Sequence, residues 1–426
     1  MDVEVARWLV SGAAAPYLDA AGDLPDPSSL SAGAALRREL SPDRAAAVLD
    51  LAALRRRSQT KLDGLGERLY LTHDGLEQAT RWEVARWRAD RLRALGVDRV
   101  VDLGCGLGID AMAFHQVGLS VTGIEHDPVT AILAEANLRL LDVPGGPGAG
   151  VIAAAVENCD LTDWLADPGT ACFLDPARRT ARGRSWRVED LQPSWEFVGS
   201  IVQRASGPVT VKLAPGFPRH RLPPDPDITW VSHTHELVET TLWHGTTSTG
   251  RRQAVILQPG GSAARLAASA KPATGPAGRY LYEPDPAVIR AQATGSLADR
   301  LGAWALADAV AYLTSDDLVF SPFASCFEKL DTLDCTEKAL RTWTHQHEIG
   351  TLEIKTRGLG IDPASLRPRL HLAGPNAGCV ILSPTSDGAK ALIVRRLVSP
   401  DRTPPGSGEI PTALRSEIPD PGIQPS

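Results

Sequence analysis

Three glycines and two carboxylates frame the chemistry this chain can do. Asp102-Leu103-Gly104-Cys105-Gly106-Leu107-Gly108 follows the β-branched pair Val100-Val101 and precedes Ile109 to Val117, whose apolar residues have helical spacing. That order predicts a buried parallel strand, a glycine turn and a helix, the opening unit of a doubly wound α/β fold. Glycine is needed where a loop turns tightly and brings bare backbone against a ligand. The helix behind it offers free N–H groups to an anionic or polar ligand. A second strand, Ser120 to Ile124, ends in Glu125, 21 positions after Gly104. A carboxylate there is placed to accept both hydroxyls of a ribose, which points to an adenosine-containing ligand. The dinucleotide fingerprint G-x-G-x-x-G needs glycine at 109, where Ile109 stands. A nicotinamide or flavin site and a ligand-free glycine turn remain as alternatives.

Gly104, Gly106 and Gly108 instead spell G-x-G-x-G, with Asp102 two residues ahead and Glu125-His126-Asp127-Pro128 after the second strand. This resembles the first two motifs of class I S-adenosylmethionine-dependent methyltransferases. The resemblance implies S-adenosyl-L-methionine as cofactor, with Asp102, Gly104, Cys105, Gly106, Gly108, Glu125 and His126 around it. Asp160, after a third strand from Gly150 to Val156, resembles the family group that accepts from the adenine amine; a solvated loop aspartate is the alternative.

Ligands sit at the carboxyl edge of such sheets, so the tip of a fourth strand, Ala171 to Leu174, faces the transferred methyl. Asp175-Pro176 stands there and resembles the D/N-P-P-aromatic motif of amino-methylating enzymes, whose acid or amide accepts from the target amine. Ala177 and Arg178 replace the second proline and the aromatic, which weakens the case for an exocyclic adenine amine. Asp175 and Pro176 are the candidate catalytic residues, Asp175 as general base or positioning group. Arg178, Arg179, Arg182, Arg184 and Arg187 follow within ten residues, with Trp186 among them. Guanidinium groups bind phosphates and stack on bases, and tryptophan stacks too; a solvated arginine loop is the alternative. Lys212, ending a fifth strand, Pro208 to Leu213, points to the same edge and could hold a phosphate or a carboxylate.

Other chemistries fit less well. Carbon-5 methylation of a pyrimidine needs a thiolate, but Cys105 lies in the glycine loop, Cys172 in a buried strand, and the Asp-Pro motif carries none. His233-Thr234-His235 puts two imidazoles on one strand face, yet no third ligand has a recognisable metal spacing, so no metal is expected. Six scattered cysteines without a C-x-x-C pair suggest neither a disulfide framework nor zinc, and a cytoplasmic, reduced protein. No run approaches the ~20 apolar residues of a membrane span. Net charge is −7, so any polyanion must be gripped by local basic patches.

The elements that position these residues fall into five stretches. Residues 1–75 read as helical, with Ser41-Pro42-Asp43 starting a helix whose end carries Arg55, Arg56, Arg57 and Lys61. That basic turn either complements the helix C-terminus or touches RNA. Residues 76–260 form the α/β domain, led in by a helix from Leu76 to Leu95 in which Leu76 to Thr80 lines the donor pocket or simply packs. Glu236 to His244 and Gln253 to Leu257 form a closing antiparallel pair, completing a Rossmann-like seven-stranded sheet. Residues 261–278, rich in Gly, Ala, Ser and Pro, read as a linker; 279–399 as an α+β domain; and 400–426, proline-rich and aperiodic, as disordered.

The chain as a whole resembles bacterial class I methyltransferases with a C-terminal THUMP-like domain. The likeness is carried by Asp74 to Thr80, Leu174 to Arg179, Val211 to Gly216, Tyr280 to Pro286, Ala311 to Asp316, Ser321 to Phe323 and Leu352 to Gly358. It implies an enzyme acting on structured, tRNA-like RNA. Lys355 and Arg357 on one strand face, with Arg367 and Arg369 after them, are then the candidate phosphate contacts. A protein or small-molecule acceptor, or a non-catalytic protein that keeps the donor fold, are the other readings.

Overall fold

The computed structural model describes residues 1–141, 148–178, 188–223, 225–245, 249–258, 260–308 and 310–399. Arg179, the arginines to 187 and the tail from 400 lie outside the described residues, as do the side chains of Glu157 and Arg178.

The N-terminal region is helical: α1 (Val3–Leu9), α2 (Ala15–Gly22), α3 (Leu30–Leu36) and α4 (Pro42–Leu62). The Ser-Pro-Asp signal acts as read, with Ser41 accepting from the Arg44 amide and Pro42 opening α4. α4 buries Val48, Leu51, Leu54 and Leu62, and three of the cations at its basic end bond to backbone, while Arg57 is exposed beside the His73 ring. Arg55 donates to the Leu69 carbonyl, Arg56 to those of Gly22 and Pro25, and Lys61 to those of Leu76 and Glu77. The helix expected over 76–95 is two helices, α5 (His73–Gln78) and α6 (Trp82–Ala94). Ala79 and Arg81 adopt extended backbone between them, turning Thr80 inward.

The α/β unit then runs β1 (Arg99–Leu103), α7 (Ile109–Gln116), β2 (Ser120–Glu125), α8 (Pro128–Arg139), β3 (Ala149–Ala153), α9 (Thr162–Ala166) and β4 (Thr170–Leu174). After β4 a small hairpin, β5 (Ala177–Arg178) against β6 (Leu191–Gln192), brackets the arginine-rich stretch. α10 (Trp195–Arg204), β7 (Val209–Leu213), β8 (Asp227–His233), β9 (Glu236–His244), β10 (Arg252–Leu257) and β11 (Ala263–Ala267) follow. The strand order is β11-β10-β8-β9-β7-β4-β1-β2-β3, so the sheet has nine strands rather than seven. β9 lies antiparallel between β7 and β8, and the 253–257 strand does not pair with it but adds outside β8 in parallel. Polar Thr229 and Ser232 break the apolar run of β8, which hid it. β11 lies inside the stretch read as a linker; its alanines have little strand preference, and pairing with β10 makes it a strand.

The C-terminal unit contains β12 (Tyr280–Pro284), α11 (Pro286–Ala291), α12 (Thr294–Leu301), β13 (Trp304–Ala305), β14 (Leu313–Ser315), β15 (Ala324–Asp334), α13 (Glu337–Gln346), β16 (Ile349–Thr356), α14 (Pro363–Leu366), β17 (Asn376–Thr385) and β18 (Gly388–Leu397). Its sheet is ordered β13-β14-β12-β15-β18-β17-β16. One apolar core joins the two units: Ala287, Val288 and Ala291 of α11 pack with Ile228 and Trp230 of β8 and Ala254 and Ile256 of β10. Asp285, ahead of α11, accepts from Ser232 Oγ at 2.5 Å and from the Ala287 amide at 2.8 Å. The second unit is thereby pinned beside the carboxyl end of β8. Among the described residues, no helix is long and apolar enough to cross a membrane.

Candidate active site

β1, β2, β4 and β7 are parallel, so their carboxyl ends share one edge, and the side chains singled out there converge. Gly104 and Gly106 have φ of +98° and +54°, and a Cβ at either would meet nothing within 4 Å. Backbone conformation, then, demands glycine there, and the space above the loop stays open. Gly108 is also left-handed and caps α7. Glu125, at the tip of β2, holds the loop from below, accepting from the Gly106 amide at 3.0 Å and the Asp127 amide at 2.9 Å. His126 is mostly exposed, with Nδ1 2.9 Å from Glu125 Oε1. Cys105 is buried against Gly123, where a Cβ would come within 2.8 Å of its sulfur. Burial, with Asp102 and Glu125 adding, pushes its thiol well above the usual range, and burial pushes Cys172 up to about 12, so neither is an activated nucleophile.

Asp102 is the telling residue. It is 1% exposed, and neither carboxylate oxygen has a hydrogen-bond partner among the described residues. Burial holds its pKa well above the carboxylate range, with Asp110 and Asp175 adding to the effect. An orphaned buried carboxylate beneath an open glycine loop suits a ligand bringing a cation and N–H donors. S-adenosylmethionine, with an α-ammonium and a sulfonium, fits that donor set. Asp160 lies in the loop past the carboxyl end of β3, seven residues beyond it, exposed, and accepting from the Thr162 amide at 3.0 Å. β3 stops at Ala153, three residues short of the Val156 end expected, and Asp160 is occupied in turning the chain into α9.

At the tip of β4, Asp175 is half-buried and Pro176 buried. Lys212 of β7 donates to Asp175 Oδ2 at 2.5 Å and to Thr80 Oγ1 at 3.0 Å. Of the two partners foreseen for Lys212, the carboxylate is the one present, and it belongs to this chain. Thr80 donates to Asp110 Oδ2 at 2.5 Å. Arg88, fully buried, pairs with both Asp110 and Glu239. The sequence reading gives Thr80 a lining role, and nothing in the sequence marks Asp110 or Arg88 as part of the site. An arginine and an acid in amphipathic helices look like surface charge, and only the tertiary fold buries them. Asn137 was missed for the same reason: its amide donates to the Leu107 and Tyr70 carbonyls, tying the glycine loop to the N-terminal region.

Lys355 and Arg357 are not on this edge. Lys355 lies 2.7 Å from Glu283 Oε2, and Arg357 3.5 Å from Glu283 Oε1. Arg367 donates to the Leu352 carbonyl and Arg369 to that of Ser365. His233 pairs with Glu83, and His235 lies 3.4 Å from Asp285.

The architecture and the glycine-loop edge together define a Rossmann-like methyltransferase, and comparison with known proteins agrees. The chain is 32% identical over 375 residues to an uncharacterised S-adenosylmethionine-dependent methyltransferase of Mycobacterium tuberculosis (strain H37Rv), spanning 84% of this chain and 98% of the relative. It is 34% identical over 165 residues to ribosomal RNA small subunit methyltransferase J of Yersinia pestis, covering 35% of this chain and 63% of that protein. A crystal structure of a putative methyltransferase from Porphyromonas gingivalis superposes with a TM-score of 0.70 at 22% identity, over 93% of this chain and 98% of that one. Residues 324–396 match the THUMP domain-like family, and residues 2–58 a domain of unknown function, DUF8688. The chain belongs to the S-adenosylmethionine-dependent methyltransferases.

Proposed function

We propose that this enzyme methylates RNA, and that Asp175 is the acid facing the acceptor. The observation that supports the reading is the placement of two groups of side chains along one edge. The glycine loop, Asp102 and Glu125 line one part of it, whereas Asp175 and Lys212 stand at the tips of β4 and β7. The bound donor supplies a methyl group on a positively charged sulfur. Gly104 and Gly106 leave its approach open, Glu125 takes the ribose hydroxyls, and Asp102 meets the cationic end. Asp175 accepts a hydrogen bond from the acceptor N–H and turns its lone pair toward the methyl. Cys105 holds Gly123 and β2 in place behind the loop, and His126 borders the ribose.

Three observations support RNA as the acceptor. Residues 324–396 match a THUMP-like family, and THUMP domains are associated with RNA-modifying enzymes. One partial relative is a ribosomal RNA methyltransferase. The chain from Arg178 to Arg187 places five arginines directly after Asp175, bracketed by β5 and β6. Arg178 and Arg179 are accordingly assigned to the acceptor strand. A second reading, a protein or small-molecule acceptor, is favoured by the engagement of Lys355 and Arg357 with Glu283. Incubating the enzyme with methyl-labelled donor and total RNA from a deletion strain decides between them. Label that is sensitive to ribonuclease supports RNA; label that is sensitive only to protease, or found in the small-molecule fraction, supports the second reading.

A further inference from the structure

The Asp175 carboxylate does not stand alone. Lys212 donates to it and, with the same ammonium, to Thr80, which donates onward to Asp110. Asp110 opens α7, directly behind the glycine loop, and Thr80 sits in the break between α5 and α6. Arg88 anchors Asp110 and Glu239 together, and Thr241, the ladder partner of Lys212, donates to Glu239 at 2.7 Å. The charges alternate through a buried region where each would be costly alone. We infer that Lys212 and Thr80 are positioning residues for Asp175, fixing the orientation of its carboxylate and linking it to the helix behind the donor loop. The inference rests on the reading of Asp175 as the acceptor-facing acid.

The geometry carries it. Lys212 is largely buried, and its ammonium is committed to two partners of this chain, so it is not a free contact for a substrate phosphate. Burial works against its charge, yet Asp175, Asp110 and Glu239 hold its pKa above the ordinary lysine value, so it remains a cation. Lys61 and Arg88 are the other cations near it. A fixed ammonium occupying Oδ2 leaves Oδ1 as the acceptor oxygen and sets the plane of the carboxylate. Thr80 is reached only because the helix breaks at 79–81, so the segment ahead of the first strand takes part in setting the target acid.

Two measurements test it, and only one needs an acceptor. The chain has seven lysines, so ¹³Cε-lysine NMR resolves Lys212 in the acceptor-free enzyme. Asp175→Asn should move its titration midpoint down, and an unmoved midpoint overturns the pairing. With a labelled RNA acceptor, Lys212→Gln should lower kcat by about 100-fold through misorientation, with the donor Kd within two-fold of wild type. Lys212→Arg should restore part of the loss, and Thr80→Val should cost less than Lys212→Gln. Wild-type kcat in Lys212→Gln, or a parallel loss of donor affinity, overturns the positioning role. If wild-type enzyme labels no RNA, the RNA reading fails while the NMR arm still decides whether the pair exists.

Discussion

At the carboxyl edge of the first sheet, Asp102 is buried with no hydrogen-bond partner among the described residues, and Asp175 has the Lys212 ammonium against one of its oxygens. In the second sheet, Glu283 gathers Lys355, Arg357 and the Tyr312 hydroxyl around itself. Both regions place charge at strand ends, but among the described residues Asp102 has no hydrogen-bond partner, whereas Glu283 is met by the chain's own cations. A carboxylate held without partners costs stability unless a ligand completes it. A carboxylate ringed by its own cations is already complete and stabilises the fold. The same residue types, in similar strands, therefore point to a ligand in one place and to internal cohesion in the other.

The largest effect that can break this contrast is on turnover. Asp175→Ala should lower kcat by about 10²–10⁴-fold and leave the donor Kd within a few-fold, as separate calorimetry and transfer assays would show. A proportional loss of both would move Asp175 into the donor pocket. Beneath it, Arg88→Met strands Asp110 and Glu239 as buried charges, and should destabilise the fold by about 3–5 kcal/mol in denaturant unfolding. A small change would mean the network is wet or mobile. Glu125→Ala removes hydrogen bonds from a charged group that also braces the glycine loop. Donor binding should weaken by about 1.5–3 kcal/mol, and unchanged affinity would remove Glu125 from the site.

The second region sharpens the comparison with smaller effects. If the Glu283 pairs are structural, Lys355→Gln/Arg357→Gln should lower the melting temperature and leave the salt slope of RNA binding unchanged. A slope reduced by about one per lost contact would instead assign those side chains to phosphate. The smallest effect is a pH dependence. Burial, with Lys212 and Arg81 adding, lowers Lys61 to about 8 from its ordinary value of 10.5. The unfolded chain then holds this proton more tightly than the folded one, so stability should rise as pH increases from about 8 towards 10.5. Lys61→Met should flatten that rise, and an unaltered profile would clear Lys61 of it.

Much of the candidate donor site could be read in sequence because it is local. Val100 to Gly108 and Ser120 to Pro128 each carry their strand, turn and acid within a few residues, so period and spacing suffice. Asp175-Pro176 was legible for the same reason. Lys212 was legible as well, as a strand-end cation at the same edge, but the network behind it was not. Thr80, Arg88, Asp110 and Glu239 lie apart in the chain, and nothing local separates a buried arginine in α6 from the exposed ones beside it. The sheet margin shows the same limit: β8 and β11 are strands because neighbours complete their ladders, and Ala263–Ala267 has little intrinsic reason to be one. Lys355 and Arg357 looked like a basic stripe because Glu283 lies 72 and 74 positions away.

The central claim, that Asp102 is left incomplete for the donor, is tested most directly by calorimetry of S-adenosylmethionine binding in buffers of different ionisation enthalpy, repeated from acid to neutral pH. The folded environment favours the protonated form of Asp102, and a cationic ligand group favours the charged one. Binding should therefore release a proton, the affinity should strengthen as pH rises, and Asp102→Asn should abolish both effects. Enthalpies independent of buffer, equal in wild type and Asp102→Asn, would contradict the account.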